Sequence, residues 1–244
     1  MTDFLFQTLH MMTVACFGAG FLFHLWGKNR LRNATGSLGL LLLSISVIMI
    51  VSVARRMPLY GMFESMTTVL WIAAAGFFII PQPPKSKPAF TVFYAIIILM
   101  ACSMFFQPIT PNHDFFMYAS PWVQCFFFFK LLAAGVFLHS GIYFASMMLT
   151  PNGPYDKKII QLPFLVMIMS GTALFLCSEF SGSIWCLKGW GDSWRWSGNF
   201  FQSALTFFIV MLNLHIPALM FKNPKIPSTL GTVSCFSIVG LLLW

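Results

Sequence analysis

The chain has 244 residues, of which 58% are hydrophobic and 8% charged, and it carries a formal net charge of +8. A soluble domain carries about 25% charged residues, so this composition excludes an ordinary water-soluble fold and points to an integral membrane protein. The excess positive charge lies in short segments between apolar runs, where it reads as a topology signal and not as a nucleic-acid surface.

Eight apolar runs approach the roughly 20 residues that a bilayer demands. They predict membrane-spanning helices at 5–26, 36–54, 62–81, 89–106, 122–149, 162–180, 199–220 and 229–244. The short alternating strands of a membrane barrel are absent from the pattern. The expected fold class is therefore all-α, a polytopic transmembrane helical bundle of about eight spans forming a single integral membrane domain over 1–244. No cleavable signal peptide is expected, because Asp3 and no basic residue precede the first run. The fifth run is long enough to tilt or project, and the last has only Trp244 as an interfacial anchor. Prolines mark the connections at 81–88, 108–121 and 151–154. The connections near 107–121 and 181–198 are long enough for a small cap. The six cysteines form no CxxC pair and mostly lie in apolar runs, where they read as small hydrophobes.

The connections alternate in charge. Lys28, Arg30, Arg32, Lys85, Lys87, Lys157, Lys158, Lys222 and Lys225 flank one side, while Arg55, Arg56, Lys188 and Arg195 flank the other; Lys130 lies within a span. Positive residues concentrate on the cytoplasmic side. Both termini and the connection near 181–198 are then expected on the outer face of a bacterial inner membrane or an organellar equivalent.

That connection contains Trp190-Gly191-Asp192-Ser193-Trp194-Arg195-Trp196. Two readings fit it. Trp190, Trp194 and Trp196, with Gly191, could form a platform for a planar macrocycle, with Arg195 or Lys188 meeting a propionate. The same indoles could instead be an interfacial aromatic belt. Of five histidines, His24, His139 and His215 fall in the inner halves of the first, fifth and seventh spans. Two of them on facing helices would suffice to ligate heme iron, and each could equally be a hydrogen-bonded histidine facing the bundle interior. His215, followed by Pro217, is the preferred ligand, with His24 or His139 as its partner. His10 lies in the first span, and His113, beside Asp114, lies in an outer connection. Glu64 follows Arg55, Arg56 and Pro58 at the start of the third span, where a carboxylate could neutralise an arginine or orient the loop.

Three of these stretches resemble the cytochrome c assembly protein family, in its CcsA/ResC-like, tryptophan-signature branch. The family signature reads Trp-Gly-x-x-Trp-x-Trp-Asp followed by Pro-Lys-Glu. Residues 190–196 keep its tryptophan frame, with Ser197 at the aspartate and Gly198-Asn199-Phe200 in place of Pro-Lys-Glu. Leu214-His215 matches a Leu-His pair that ends the family's next span. Pro58-Leu59 through Glu64-Ser65 resembles a second family element. Trp122 to Phe126 stands at the family's Trp-x-x-x-His, so phenylalanine occupies that outer ligand position and His113 is the remaining outer candidate; a second outer histidine has no counterpart.

The resemblance implies non-covalent b-type heme and an inner site at His215. It also implies a partner membrane subunit of a system II cytochrome c synthase and apocytochrome c as the acceptor. Function is then heme handling and delivery in cytochrome c maturation, with heme lyase activity residing in the complex and no catalytic nucleophile in this chain. The competing expectation is a non-catalytic structural membrane subunit of a larger respiratory or biogenesis complex, with or without bound heme. No inverted repeat or pair of broken helices suggests a transporter.

Overall fold

A computed structural model of the chain describes residues 2–79, 87–111, 120–149, 157–193, 198–217, 220, 223 and 225–243. Among these residues every regular element is helical: α1 (Thr2–Leu25), α2 (Asn29–Ala54), α3 (Met62–Ile79), α4 (Lys87–Ser103) with a 3-10 turn at Met104–Phe106, α5 (Pro121–Met148), α6 (Lys157–Trp190), α7 (Gly198–Leu214) and α8 (Lys225–Leu243). Seven of them, α4 taken together with its 3-10 turn, are long and apolar enough to cross a bilayer; α7, with 17 residues, is the short one. In hydrocarbon every backbone N–H and C=O must be satisfied within the segment, so an apolar run of this length folds as helix. The protein is an all-α, polytopic integral membrane protein.

The helices cluster into two compact units, Met1–His113 and Asp114–Trp244. In the first, α1 packs on α2 and α4, α2 on α3, and α3 on α4. Its core is aromatic: the rings of Phe77 and Phe93 stack 3.9 Å apart, and Phe17 meets Phe93 edge-on. In the second, α5 packs on α6 and α8, and α7 on α6 and α8. Lipid supplies no hydrophobic drive between helices, so close van der Waals fit must hold them. Here phenylalanines of α5 press on glycines. A Cβ on Gly171 of α6 would stand 2.7 Å from the Phe137 ring, and one on Gly231 of α8 would stand 2.6 Å from Phe144.

The ends of three helices differ from the expected spans. α2 begins at Asn29 and not near 36, taking the charged stretch through Asn33 into the helix. This is possible because Arg32 is laid over the Phe90 ring at 3.5 Å and donates twice to Asn33 Oδ1. α6 continues ten residues past 180 to Trp190, so the expected loop at 181–198 is helix in its first half. Gly191, at φ 73, ends it by adopting the left-handed conformation that glycine accepts at no steric cost. α7 stops at Leu214 and not near 220, since Pro217 removes a backbone donor just beyond it.

Candidate functional site

The connection between α2 and α3 is knitted around one ion pair. Arg55 caps α2 in the left-handed conformation, φ 52, and is exposed. The reversal turns the next residue inward. Arg56 grips Glu64 with both ends of its fork, Nη1 to Oε2 at 2.6 Å and Nη2 to Oε1 at 2.9 Å, and the Glu64 side chain is fully buried. Glu64 is the third residue of α3, and its Oε2 also accepts the Tyr60 N–H at 3.2 Å. An acid at that position reaching back to an N-terminal donor both caps the helix and complements its dipole. Arg56 further donates to the Met57 carbonyl, Thr68 to that of Pro58, and Ser65 to that of Leu59. Gly61, at φ 95, completes the turn. Arg55 through its backbone, and Pro58 and Glu64, therefore belong to a hydrogen-bonded structural plug, and the arginine that pairs with Glu64 is Arg56.

The histidines fall in distinct settings. His10, 5% exposed, donates from Nε2 to the Ala101 carbonyl at 2.9 Å, an acceptor that the end of α4 leaves unpaired. His24 Nε2 meets Thr91 Oγ1 at 2.9 Å. Because Thr91 spends its own proton on the Lys87 carbonyl, His24 must be the donor there. Its Nδ1 is then a buried lone pair with no hydrogen-bond partner among the described residues. His139 is buried within α5. His215 lies one residue past α7 and is exposed, with Nδ1 against the Met211 carbonyl at 2.8 Å. His24 thus belongs to the first unit, and His139 and His215 to the second. His139 stands nine residues, about 14 Å of helix, before the end of α5 at Met148. Among the described residues no group of three His, Cys, Asp or Glu side chains could hold a metal ion.

At the tryptophan end of the second unit, Trp190 is 49% exposed and meets Trp185 edge-on, with centroids 5.2 Å apart and planes at 62°. Lys188 sits over the Trp122 ring at 5.3 Å. Trp194, Arg195, Trp196 and His113 lie outside the described residues.

Sequence reasoning passed over one constellation. Glu179 of α6 accepts a hydrogen bond from Ser203 of α7 at 2.9 Å and feels the charge of Lys130 on α5. A carboxylate inside an apolar run is itself the signal, since ionisable groups within spans are costly and mark function by default. Comparison of the sequence with protein-family models and with curated proteins finds no match in either case.

Proposed function

We propose that this chain is a heme-handling membrane subunit of the cytochrome c maturation type, taking heme as cargo with His215 as an iron ligand. The observation that carries the reading is the His215 imidazole. Its Nδ1–H is committed to a backbone carbonyl, which leaves Nε2 as the lone-pair nitrogen on an exposed ring. Metal-ligating histidines are held in this way, with the second nitrogen fixing ring orientation. That nitrogen would hold the iron of a non-covalent, b-type heme. His139, which lies in the same unit as His215, is the candidate for the second ligand. The resemblance of residues 190–196 to the family signature supports a heme-presenting surface at the opposite end of the membrane.

By the charge bias of the connections, His215 lies toward the cytoplasmic face, and the tryptophan end and both termini lie outside. The membrane is a bacterial cytoplasmic membrane or its organellar equivalent. Thioether formation joins the vinyl carbons of heme to the reduced thiols of apocytochrome c. The part of this chain in that step is binding and orientation, in complex with a partner membrane subunit.

The test is a pyridine hemochrome assay and visible spectrum on protein purified from its native membrane. Wild-type protein is expected to carry low-spin heme, and His215→Ala to lose it. Folded wild-type protein without heme overturns the reading. One observation favours the second reading, a structural subunit of a respiratory or biogenesis complex. Trp185 and Trp190 are not coplanar, and Lys188 is already engaged by Trp122, as in an interfacial belt. Heme-free protein recovered in a stable membrane complex would match it.

A further inference from the structure

Lys130 lies nine residues into α5, and Glu179 lies eleven residues before the end of α6. Both charges thus stand inside long apolar helices, away from the helix ends. The two charges interact but stand too far apart for a direct ion pair. The ammonium rests against the Phe126 ring at 5.6 Å, and the carboxylate takes its hydrogen bond from Ser203.

Three more polar atoms line the neighbouring helix. Gln202 Oε1, Thr206 Oγ1 and Asn213 Oδ1 of α7 are buried and have no hydrogen-bond partner among the described residues. Thr206 is 0% exposed and Asn213 3%. At 100° per residue, positions 202, 206 and 213 fall within about 40° of one another, a single stripe along α7, with Ser203 beside it. A buried oxygen without a donor is costly, and more so in hydrocarbon. The two amide oxygens accept only and the Thr206 hydroxyl both donates and accepts, so whatever satisfies the stripe must be able to do both. Water does so, and it also bridges charges held beyond contact distance. Lys130 disfavours a bound cation at this place, and Glu179 disfavours a bound anion.

We propose that Glu179 is the proton-binding group of a hydrated relay inside the second unit. Lys130 is its fixed counter-charge and Ser203 its positioning donor. The Gln202–Thr206–Asn213 stripe carries the waters that connect it to the His215 end of α7. A proton passes from hydronium through the water chain to the Glu179 carboxylate and back to water; no electron moves and no bond other than O–H forms or breaks. The helices packed on α6 are α5 and α7. α7 carries no titratable residue from Gly198 to Leu214. On α5 the group facing Glu179 is Lys130, whereas His139, nine residues on, points from the opposite side of that helix. The inference is independent of the heme reading and holds or fails without it.

Infrared difference spectroscopy on the full-length protein in liposomes tests it, recorded through a pH titration in H2O and D2O. The expected result is a carboxylic C=O band that titrates, shifts in D2O and disappears in Glu179→Gln. The absence of a titrating band, or one that survives E179Q, overturns the proposal. A double variant, Thr206→Val with Asn213→Leu, keeps both charges and interrupts the stripe. It is expected to retain the band and slow its H/D exchange several-fold; exchange at the wild-type rate overturns the relay even if E179Q fails to fold.

Discussion

Glu64 shows how much one side chain can decide. It is fully buried and answers both the Arg56 fork and the Tyr60 N–H. Removing one partner of such a pair strands the other charge, at a cost of about 3–5 kcal/mol. Glu64→Gln is therefore expected to lower the thermal unfolding midpoint markedly, measured in detergent by intrinsic fluorescence. Arg56→Lys keeps the charge but loses the two-pronged grip and is expected to fall between wild type and E64Q. Arg55→Lys, at an exposed position, is expected to leave stability unchanged. The sequence places an acid beside two arginines, and that much of the plug can be read from it. Which arginine faces inward cannot be read, because the choice follows from the left-handed backbone at Arg55, a single φ value and not a pattern. His10 is similar. Its depth in the first span is legible, but its use as a donor to the unpaired Ala101 carbonyl depends on α4 arriving alongside. His10→Leu is expected to cost about 1–3 kcal/mol in the same measurement, the penalty for a buried carbonyl left without a donor.

Among the elements, the helices themselves are the legible part, since twenty apolar residues in lipid have little alternative to helix. Their ends are less so. Arg30 and Arg32 read as loop until the Phe90 ring is there to receive Arg32. Trp185 and Trp190 read as loop until α6 is seen to carry them both as far as Gly191. Charge and glycine content mark polar surroundings, and a helix that leaves the hydrocarbon has those surroundings too. Helix–helix contacts are written in even smaller signs. Gly171 and Gly231 give no periodic pattern, yet each accepts a phenylalanine ring of α5. Gly231→Leu is expected to push α8 away from Phe144 and cost about 1–3 kcal/mol as overpacking does. A cysteine pair engineered across that interface should then cross-link more slowly than in wild type. The same substitution at Gly240, where an added Cβ meets nothing within 4 Å, is expected to be neutral.

At the scale of the whole molecule, eight crossings, if α7 also spans, would return the chain to the side on which it began. Reporter domains fused to either terminus are expected to be active outside the cytoplasm, and one inserted near Lys157 to be active within it. The opposite pattern would invert the orientation argued from the lysines. The division into two units follows the proline-marked connection after α4, a break that sequence composition shows without revealing that a compact unit closes there. The candidate site was legible in part: His215 stands out by position, whereas the Glu179 constellation needs three helices brought together before it becomes visible.

The lengths of α6 and α7 carry a last consequence. At 1.5 Å per residue, the 34 residues of α6 reach about 51 Å and the 17 of α7 only about 26 Å. These neighbours cannot both match one slab of lipid. Upright, α6 overshoots the acyl chains, while α7 falls short of them and draws the surrounding leaflets together. Reconstitution into shorter-chain phospholipids should therefore suit this protein better than longer-chain ones. The thickness of its host membrane becomes a control on how readily the aqueous phase reaches its interior.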